Sequence, residues 1–162
     1  MPEGPEIRLA ADKVARVLVG HPLVEVEFGL QSLRRYKPRL TGATVTAVDT
    51  RGKAMLTRFD NGLTLYSHNQ LYGKWFTTSR TRRPKTARQL RVGLHTGTHS
   101  ALLYSASDIE VLTAGGLAKH PFLNRVGPDI LDANLTADAI LERLTSTRFR
   151  NRALGALYLD QA

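Results

Sequence analysis

Over residues 5–19, apolar side chains return every three or four positions. Ile7, Ala10, Ala11, Val14 and Leu18 fall on one side, and Arg8, Asp12, Lys13 and Arg16 on the other. This period predicts an amphipathic helix whose stripe packs into a core. Gly20 ends it and Pro22 prevents its continuation. From 23 to about 106 the period falls to two. Val24–Phe28 and Leu90–His95 alternate, and between them lie short runs at Ala43–Thr50, Ala54–Phe59, Leu63–Ser67 and Lys74–Thr78. Asp60-Asn61-Gly62 between two runs is a strong hairpin signal, and Arg51-Gly52 and Thr96-Gly97 mark further turns. Strands this short and this closely punctuated argue for a sandwich or barrel over a parallel sheet. The predicted fold is α+β, an antiparallel β-sandwich flanked by the N-terminal helix.

Residues 107–132 are mixed, with Gly115-Gly116, Pro121 and Gly127-Pro128 as breakers, and read as a connection between two parts of the molecule. Thr136 can cap a helix over 137–145, with Asp138 in its first turn and Ala137, Ile140, Leu141 and Leu144 as its stripe. A second helical pattern starts near 151 with Leu154, Leu157 and Tyr158 on one side. The expected division is therefore residues 1–130, then residues 131–162, whose two helices are too few to make a core alone.

Composition narrows the partners. Of 162 residues 42% are hydrophobic, enough for a real core, while Lys and Arg outnumber acids to give a net charge of +9. Such a surplus points to a polyanion, nucleic acid or an acidic membrane surface. No apolar run approaches ~18 residues, and the N-terminus lacks a signal-peptide pattern, so a cytoplasmic protein with no membrane partner is expected. Without cysteine the sequence offers neither disulfides nor a Cys-ligated zinc site. Asn134-Leu135-Thr136 matches a glycosylation sequon and reads as chance in such a protein.

Chemistry concentrates in a few stretches. Met1-Pro2-Glu3-Gly4-Pro5-Glu6 places a proline behind a removable methionine. A free N-terminal Pro2 would carry a secondary amine able to attack an aldehyde carbon and form an iminium, the logic of a Schiff-base lysine. Glu3 could move protons beside it. Gly4 allows a sharp turn, Pro5 suits the first turn of a helix, and Glu6 complements its dipole. The plainer alternative is a flexible terminus. Lys53 follows a tight turn at the start of a strand; near Pro2 it would bind phosphate and favour the neutral amine, and otherwise it is merely solvated. In Ser67-His68-Asn69-Gln70-Leu71-Tyr72-Gly73 the apolar pair either packs inward as part of a hairpin or projects as a wedge between base steps, with Gln70 able to bond an unpaired base. His68 alone is more often structural. Arg80, Arg82, Arg83, Lys85 and Arg88 crowd one loop, which is either a solvated loop or a phosphate contact. Arg125 could reach a phosphate or a base.

Taken in order, Pro2-Glu3-Gly4-Pro5-Glu6, Thr50-Arg51-Gly52-Lys53, Tyr66–Gly73 and Arg125-Val126-Gly127-Pro128-Asp129 closely resemble the endonuclease VIII branch of the formamidopyrimidine-DNA glycosylase superfamily. The resemblance runs along the whole chain. It implies base-excision repair of oxidised pyrimidines in damaged double-stranded DNA, by glycosylase and abasic-site lyase steps, in a protein expected to be monomeric and drawn to the nucleoid through DNA. Pro2 matches the Schiff-base nucleophile, Glu3 the proton donor, and Lys53 the lysine that contacts phosphate and assists β-elimination. Gln70, Leu71 and Tyr72 match the wedge that fills the space of a flipped nucleotide, and Gln70 and Arg125 match DNA contacts. In the family, Leu159-Asp160-Gln161-Ala162 leads on into the rest of a helix–two-turns–helix domain and a zinc finger, whose arginine helps δ-elimination. No cofactor is therefore expected in residues 1–162. A chain without those parts is expected either to keep crippled chemistry or to serve as a truncated, non-catalytic DNA-binding module.

Overall fold

A computed structural model of the chain describes residues 3–129, 132, 134–157 and 160. Helix α1 (Gly4–Leu18) forms where the apolar stripe predicts it and buries Ile7, Ala11, Val14 and Leu18. Glu3 is its N-cap, and the Glu3 backbone N–H donates to Glu6 Oε2 at 2.9 Å, satisfying one donor at the helix start. Beyond the helix Gly20 adopts a left-handed φ of 81° and its N–H bonds the Val45 carbonyl at 2.8 Å. Glycine adopts that conformation without steric cost, so the chain leaves α1 already tied to a strand.

Two four-stranded antiparallel sheets follow. The first has the order β1 (Glu25–Phe28), β6 (Leu90–His95), β7 (His99–Tyr104), β5 (Lys74–Ser79). The second runs β2 (Val45–Arg51), β3 (Ala54–Phe59), β4 (Thr64–His68), β8 (Asp108–Leu112). Val26, Val92, Leu94 and Leu103 of one sheet and Val45, Met55, Leu65 and Val111 of the other share a single buried core. Helix α1 lies against β2 and β3 of the second sheet and β5 and β7 of the first. Ile7, Val14 and Leu18 of that helix, all fully buried, each contribute roughly 1.5–3 kcal/mol, so its N-terminal turn is held against the sandwich. The expected turns form: Gly62 closes the β3–β4 hairpin with φ 78°, and Gly52, φ 57°, with Lys53 makes the two-residue turn between β2 and β3.

The structure corrects three readings. Residues 107–132 are not merely a connection, because β8 pairs with β4 along its length. Its alternation of Ile109 and Val111 with Asp108 and Glu110 is only five residues long, and Asp108 accepts from the Tyr66 hydroxyl at 3.3 Å. Strand β7 had no run of its own in the sequence pattern. Ser100–Tyr104 is buried without a break, and a strand covered on both faces loses its alternation. A 3-10 turn (Gln31–Tyr36) and helix α2 (Lys37–Leu40) were also unforeseen; they bury Leu33 and Leu40 from a segment rich in basic residues.

The chain divides after Leu117 into two compact units, with α3 (Ala114–Lys119) running across the boundary. The second contains α4 (Pro121–Arg125), α5 (Ala137–Thr145) and α6 (Leu154–Leu157). Helix α5 spans the expected residues, and the Thr136 hydroxyl accepts from the Ala139 N–H at 3.2 Å as an N-cap. Its apolar stripe stays open, with Leu141 60% exposed. Tyr158, assigned to the last helical pattern, lies outside the described residues.

On the outer face of the first sheet, three strands bring polar side chains together. His95 Nε2 lies 2.6 Å from Glu27 Oε1 and His95 Nδ1 lies 2.7 Å from Ser100 Oγ. Gly93 makes room for this, since a Cβ there would sit 2.8 Å from His95 Nε2. Burial pushes His95 below its ordinary pKa of 6.5, against the pull of Glu27. Burial acts to raise Glu27, but Arg83 and His95 outweigh it and hold the carboxyl below 4.5. Both groups bind fewer protons folded than unfolded, so both make the fold more stable as pH rises. The His95 contribution is complete above about pH 6.5 and is lost as pH falls through its lower folded value; the Glu27 contribution goes only below about pH 4.5. His95→Gln can keep both hydrogen bonds without titrating. Urea unfolding between pH 7 and 5 should show its stability falling less steeply, by up to about 1.4 kcal/mol per pH unit. An unchanged slope would rule out His95 as a source of acid sensitivity.

Candidate active site

Glu3 and Lys53 are fifty residues apart in sequence and meet in space. Glu3 caps α1, while Lys53 sits at the corner of the β2–β3 turn. Lys53 Nζ lies 2.7 Å from Glu3 Oε2 and 2.9 Å from Oε1. The lysine side chain is 12% exposed and the glutamate 63%. A stem buried in a strand turn thus delivers an ammonium to a carboxylate that remains open to solvent. Such a surface pair adds at most about 1 kcal/mol to stability, so its interest is positional. Pro2, the proposed nucleophile, lies outside the described residues; in sequence it directly precedes Glu3.

Next to Lys53 stands His68, buried at the end of β4. Burial pushes its pKa down and the Lys53 charge adds to this, while Asp108 opposes both. His68 Nδ1 accepts the Gln70 N–H at 3.1 Å and so starts the loop that follows. Gln70 adopts φ 51°, in the left-handed region that non-glycine residues seldom occupy. Its side-chain Oε1 accepts from the Ser107 hydroxyl at 2.8 Å. The loop closes where the Gly73 N–H meets the Asn69 carbonyl at 2.7 Å. A Cβ at Gly73 would fall 2.5 Å from that same oxygen, so only glycine fits. Leu71 and Tyr72 are pushed outward, 64% and 68% exposed. The alternative in which this pair packs inward is excluded. Arg88 donates to the Tyr72 carbonyl from the far side of the loop.

Between α1 and this loop lies a groove of about 640 Å³. Leu9 and Lys13 of the helix, Leu71 and Tyr72 of the loop, and Trp75 and Arg88 are among the residues that line it. It combines apolar surface with both signs of charge, Glu6 on one side and Lys13, Lys74 and Arg88 on the other. Two of the five cations in the basic loop are engaged by β1, Arg80 with Glu25 and Arg83 with Glu27, while Arg82 and Lys85 are exposed. Arg125 belongs to the second unit, exposed at the end of α4, with its Nε donating to the Pro121 carbonyl at 3.3 Å. Among the described residues no group of three or more His, Asp or Glu is placed to hold a metal ion.

The site thus brings Glu3, Lys53 and the Gln70–Tyr72 loop together on one unit. Sequence reasoning missed Ser107, and it named Arg88 only as one of a basic cluster, solvated or phosphate-facing, and not as a brace of this loop. No local spacing announces them, because it is the pairing of β8 with β4 and the return from β5 to β6 that carry them there.

The family model described as formamidopyrimidine-DNA glycosylase N-terminal domain matches residues 1–107. Endonuclease 8 of Salmonella agona (strain SL483) is 58% identical over 162 residues, and endonuclease 8 of Escherichia coli O1:K1 is 57% identical over the same length. In both cases the match takes in 100% of this chain but 62% of the relative, so the chain spans about three-fifths of the length of the curated relatives it matches. Among solved structures, wild-type Lactococcus lactis Fpg (MutM) in complex with an N7-benzyl-Fapy-dG DNA superposes with a TM-score of 0.68 at 17% identity, covering 78% of this chain and 49% of that one. MutM in complex with a carbocyclic 8-oxo-G DNA gives 0.68 at 16%, covering 79% and 51%. At such identities these two speak for the fold alone. The matched family domain takes in the capped helix, its lysine partner and the exposed loop, and the chain belongs to the formamidopyrimidine-DNA glycosylase and endonuclease VIII superfamily.

Proposed function

We propose that this chain carries the chemistry of a bifunctional DNA glycosylase and abasic-site lyase that removes oxidised pyrimidines from double-stranded DNA. The observation that carries the reading is the Glu3–Lys53 contact beside a solvent-facing Leu71-Tyr72 loop. Flipping comes first, because C1′ is shielded inside a stacked duplex. Leu71 and Tyr72 enter the vacated space, and Gln70 meets the orphaned base. The Pro2 amine attacks C1′, the glycosidic bond breaks, and the base departs with a proton. Glu3 protonates the ring oxygen O4′, which opens the sugar and leaves an iminium between the Pro2 nitrogen and C1′. The Glu3 carboxylate left by that step takes a proton from C2′, whose electron pair moves toward C3′ and expels the 3′-phosphate, which Lys53 holds. Water finally hydrolyses the iminium and frees Pro2. Arg125 supplies a further contact to the DNA.

The test is reductive trapping. Incubation with abasic-site duplex and borohydride should yield a covalent adduct that peptide mapping places on Pro2. An adduct on Lys53 with Pro2 unmodified would overturn the assignment. Duplex binding with neither adduct nor strand opening, and Pro2 shown to be the free terminus, would favour a non-catalytic DNA-binding module.

A further inference from the structure

The loop between β5 and β6 bonds its own strand at Arg82, whose N–H meets the Ser79 carbonyl at 3.0 Å and whose carbonyl accepts from the Thr78 hydroxyl at 3.0 Å, and it is tied at both ends to other parts of the fold as well. Arg80 pairs with Glu25 and Arg83 with Glu27, both on β1, so this part of the loop is drawn onto the outer face of the first sheet. Five residues after Arg83, Arg88 donates to the Tyr72 carbonyl. Glu27 is the most heavily engaged anchor, for the same Oε1 that meets Arg83 also lies 2.6 Å from His95 Nε2, and Ser100 braces the other ring nitrogen at 2.7 Å. Ser100, His95 and Glu27 follow the order of a hydrolytic triad. Ser100 and His95 are each only 1% exposed, however, so no substrate reaches that hydroxyl. The cluster's outlet is Arg83 and the loop beyond it.

We propose that residues 80–88 form a strap that sets the height of Leu71 and Tyr72, with Glu27 as its positioning anchor and Arg88 as its link to the loop. The inference rests on the wedge reading given above. A guanidinium on a carbonyl makes a charge-assisted hydrogen bond, stronger than a neutral one. It acts on the peptide that joins Tyr72 to Gly73, where the loop turns back. Entry between base steps depends on where the two apolar side chains stand, whereas attachment to undamaged duplex depends on charge and phosphate contacts. Releasing the strap therefore separates the two kinds of binding.

The experiment compares Glu27→Gln and Arg88→Lys with the parent chain on two duplexes, one undamaged and one with a tetrahydrofuran abasic analogue, at fixed salt. Arg88→Lys keeps the cation and loses the fork. Each variant should lower the preference for the abasic duplex by about five-fold, the net worth of one hydrogen bond; affinity for undamaged duplex stays unchanged in Arg88→Lys and rises in Glu27→Gln, which removes a negative charge and releases Arg83, a gain that both duplexes share and the ratio cancels. Trp75, the single tryptophan, lines the groove beside Tyr72 and Arg88 and should become more open to acrylamide quenching in both variants. Unchanged preference, or affinities for both duplexes falling in parallel, would overturn the strap. Leu71→Ala run alongside separates the two ideas. If it too leaves preference unchanged, the wedge reading has failed; if it lowers preference while the strap variants do not, only the strap has failed.

Discussion

Replacing Lys53 by methionine should lower the rate of strand opening at a preformed abasic site by about 100-fold or more, the usual scale for a group that assists proton transfer or holds a departing phosphate. Methionine keeps the length of the stem that packs at the β2–β3 corner and removes only the ammonium that lies 2.7 Å from Glu3. The loss should appear in the rate at saturating DNA. Folding should scarcely change, because a pair whose carboxylate is 63% exposed adds at most about 1 kcal/mol. Lys53→Arg should recover part of the rate, since it restores the charge but presents a flat fork where a compact ammonium stood. The measurement is single-turnover opening of an abasic duplex with a melting curve of each variant beside it. Opening by Lys53→Met within three-fold of the parent would remove Lys53 from the chemistry and leave it a surface partner of Glu3.

Leu71→Ala should weaken binding to an abasic or lesion duplex by roughly 1–3 kcal/mol, through lost apolar contact and an incompletely filled stack. Because Leu71 is 64% exposed, its truncation opens no cavity in the core, and stability should stay within about 0.5 kcal/mol. The two numbers need separate measurements, affinity by titration and stability by urea unfolding. Loss of stability with affinity per folded molecule intact would show that Leu71 supports the fold and contacts no DNA.

How much of this was legible beforehand depended on whether the information was local. The stripe Ile7, Ala11, Val14, Leu18 wrote α1 into the chain, and Asp60-Asn61-Gly62 wrote its hairpin, because each is set by neighbours a few residues away. Strand β7 was hidden for the opposite reason. With Ser100–Tyr104 buried without a break, its residues carry no period to read. The site divides in the same manner. Glu3, Lys53 and the Gln70–Tyr72 stretch stood out through motifs, but nothing in the composition of Gly52-Lys53 says that the lysine reaches Glu3. That contact is a product of packing α1 against β2 and β3. The crowd of arginines after β5 misled in part, since charge along a sequence does not reveal which charges meet a carboxylate on another strand. Arg80 and Arg83 meet Glu25 and Glu27.

The loop bearing Leu71 and Tyr72 is held by His68, Ser107, Arg88 and its own closure at Gly73, all within the first unit. Its conformation is therefore complete before any duplex arrives. Immobilising a flexible side chain or loop residue on binding costs on the order of 0.5–1.5 kcal/mol each, and here that cost falls within folding. On the proposed function this bears on speed. A protein sliding along DNA rests only briefly at each base step, and a probe that had to fold at every step would pass most lesions before it was ready. A rigid one can test each step at the pace of the slide, so the constrained backbone at Gln70 and Gly73 favours rapid search as much as tight holding.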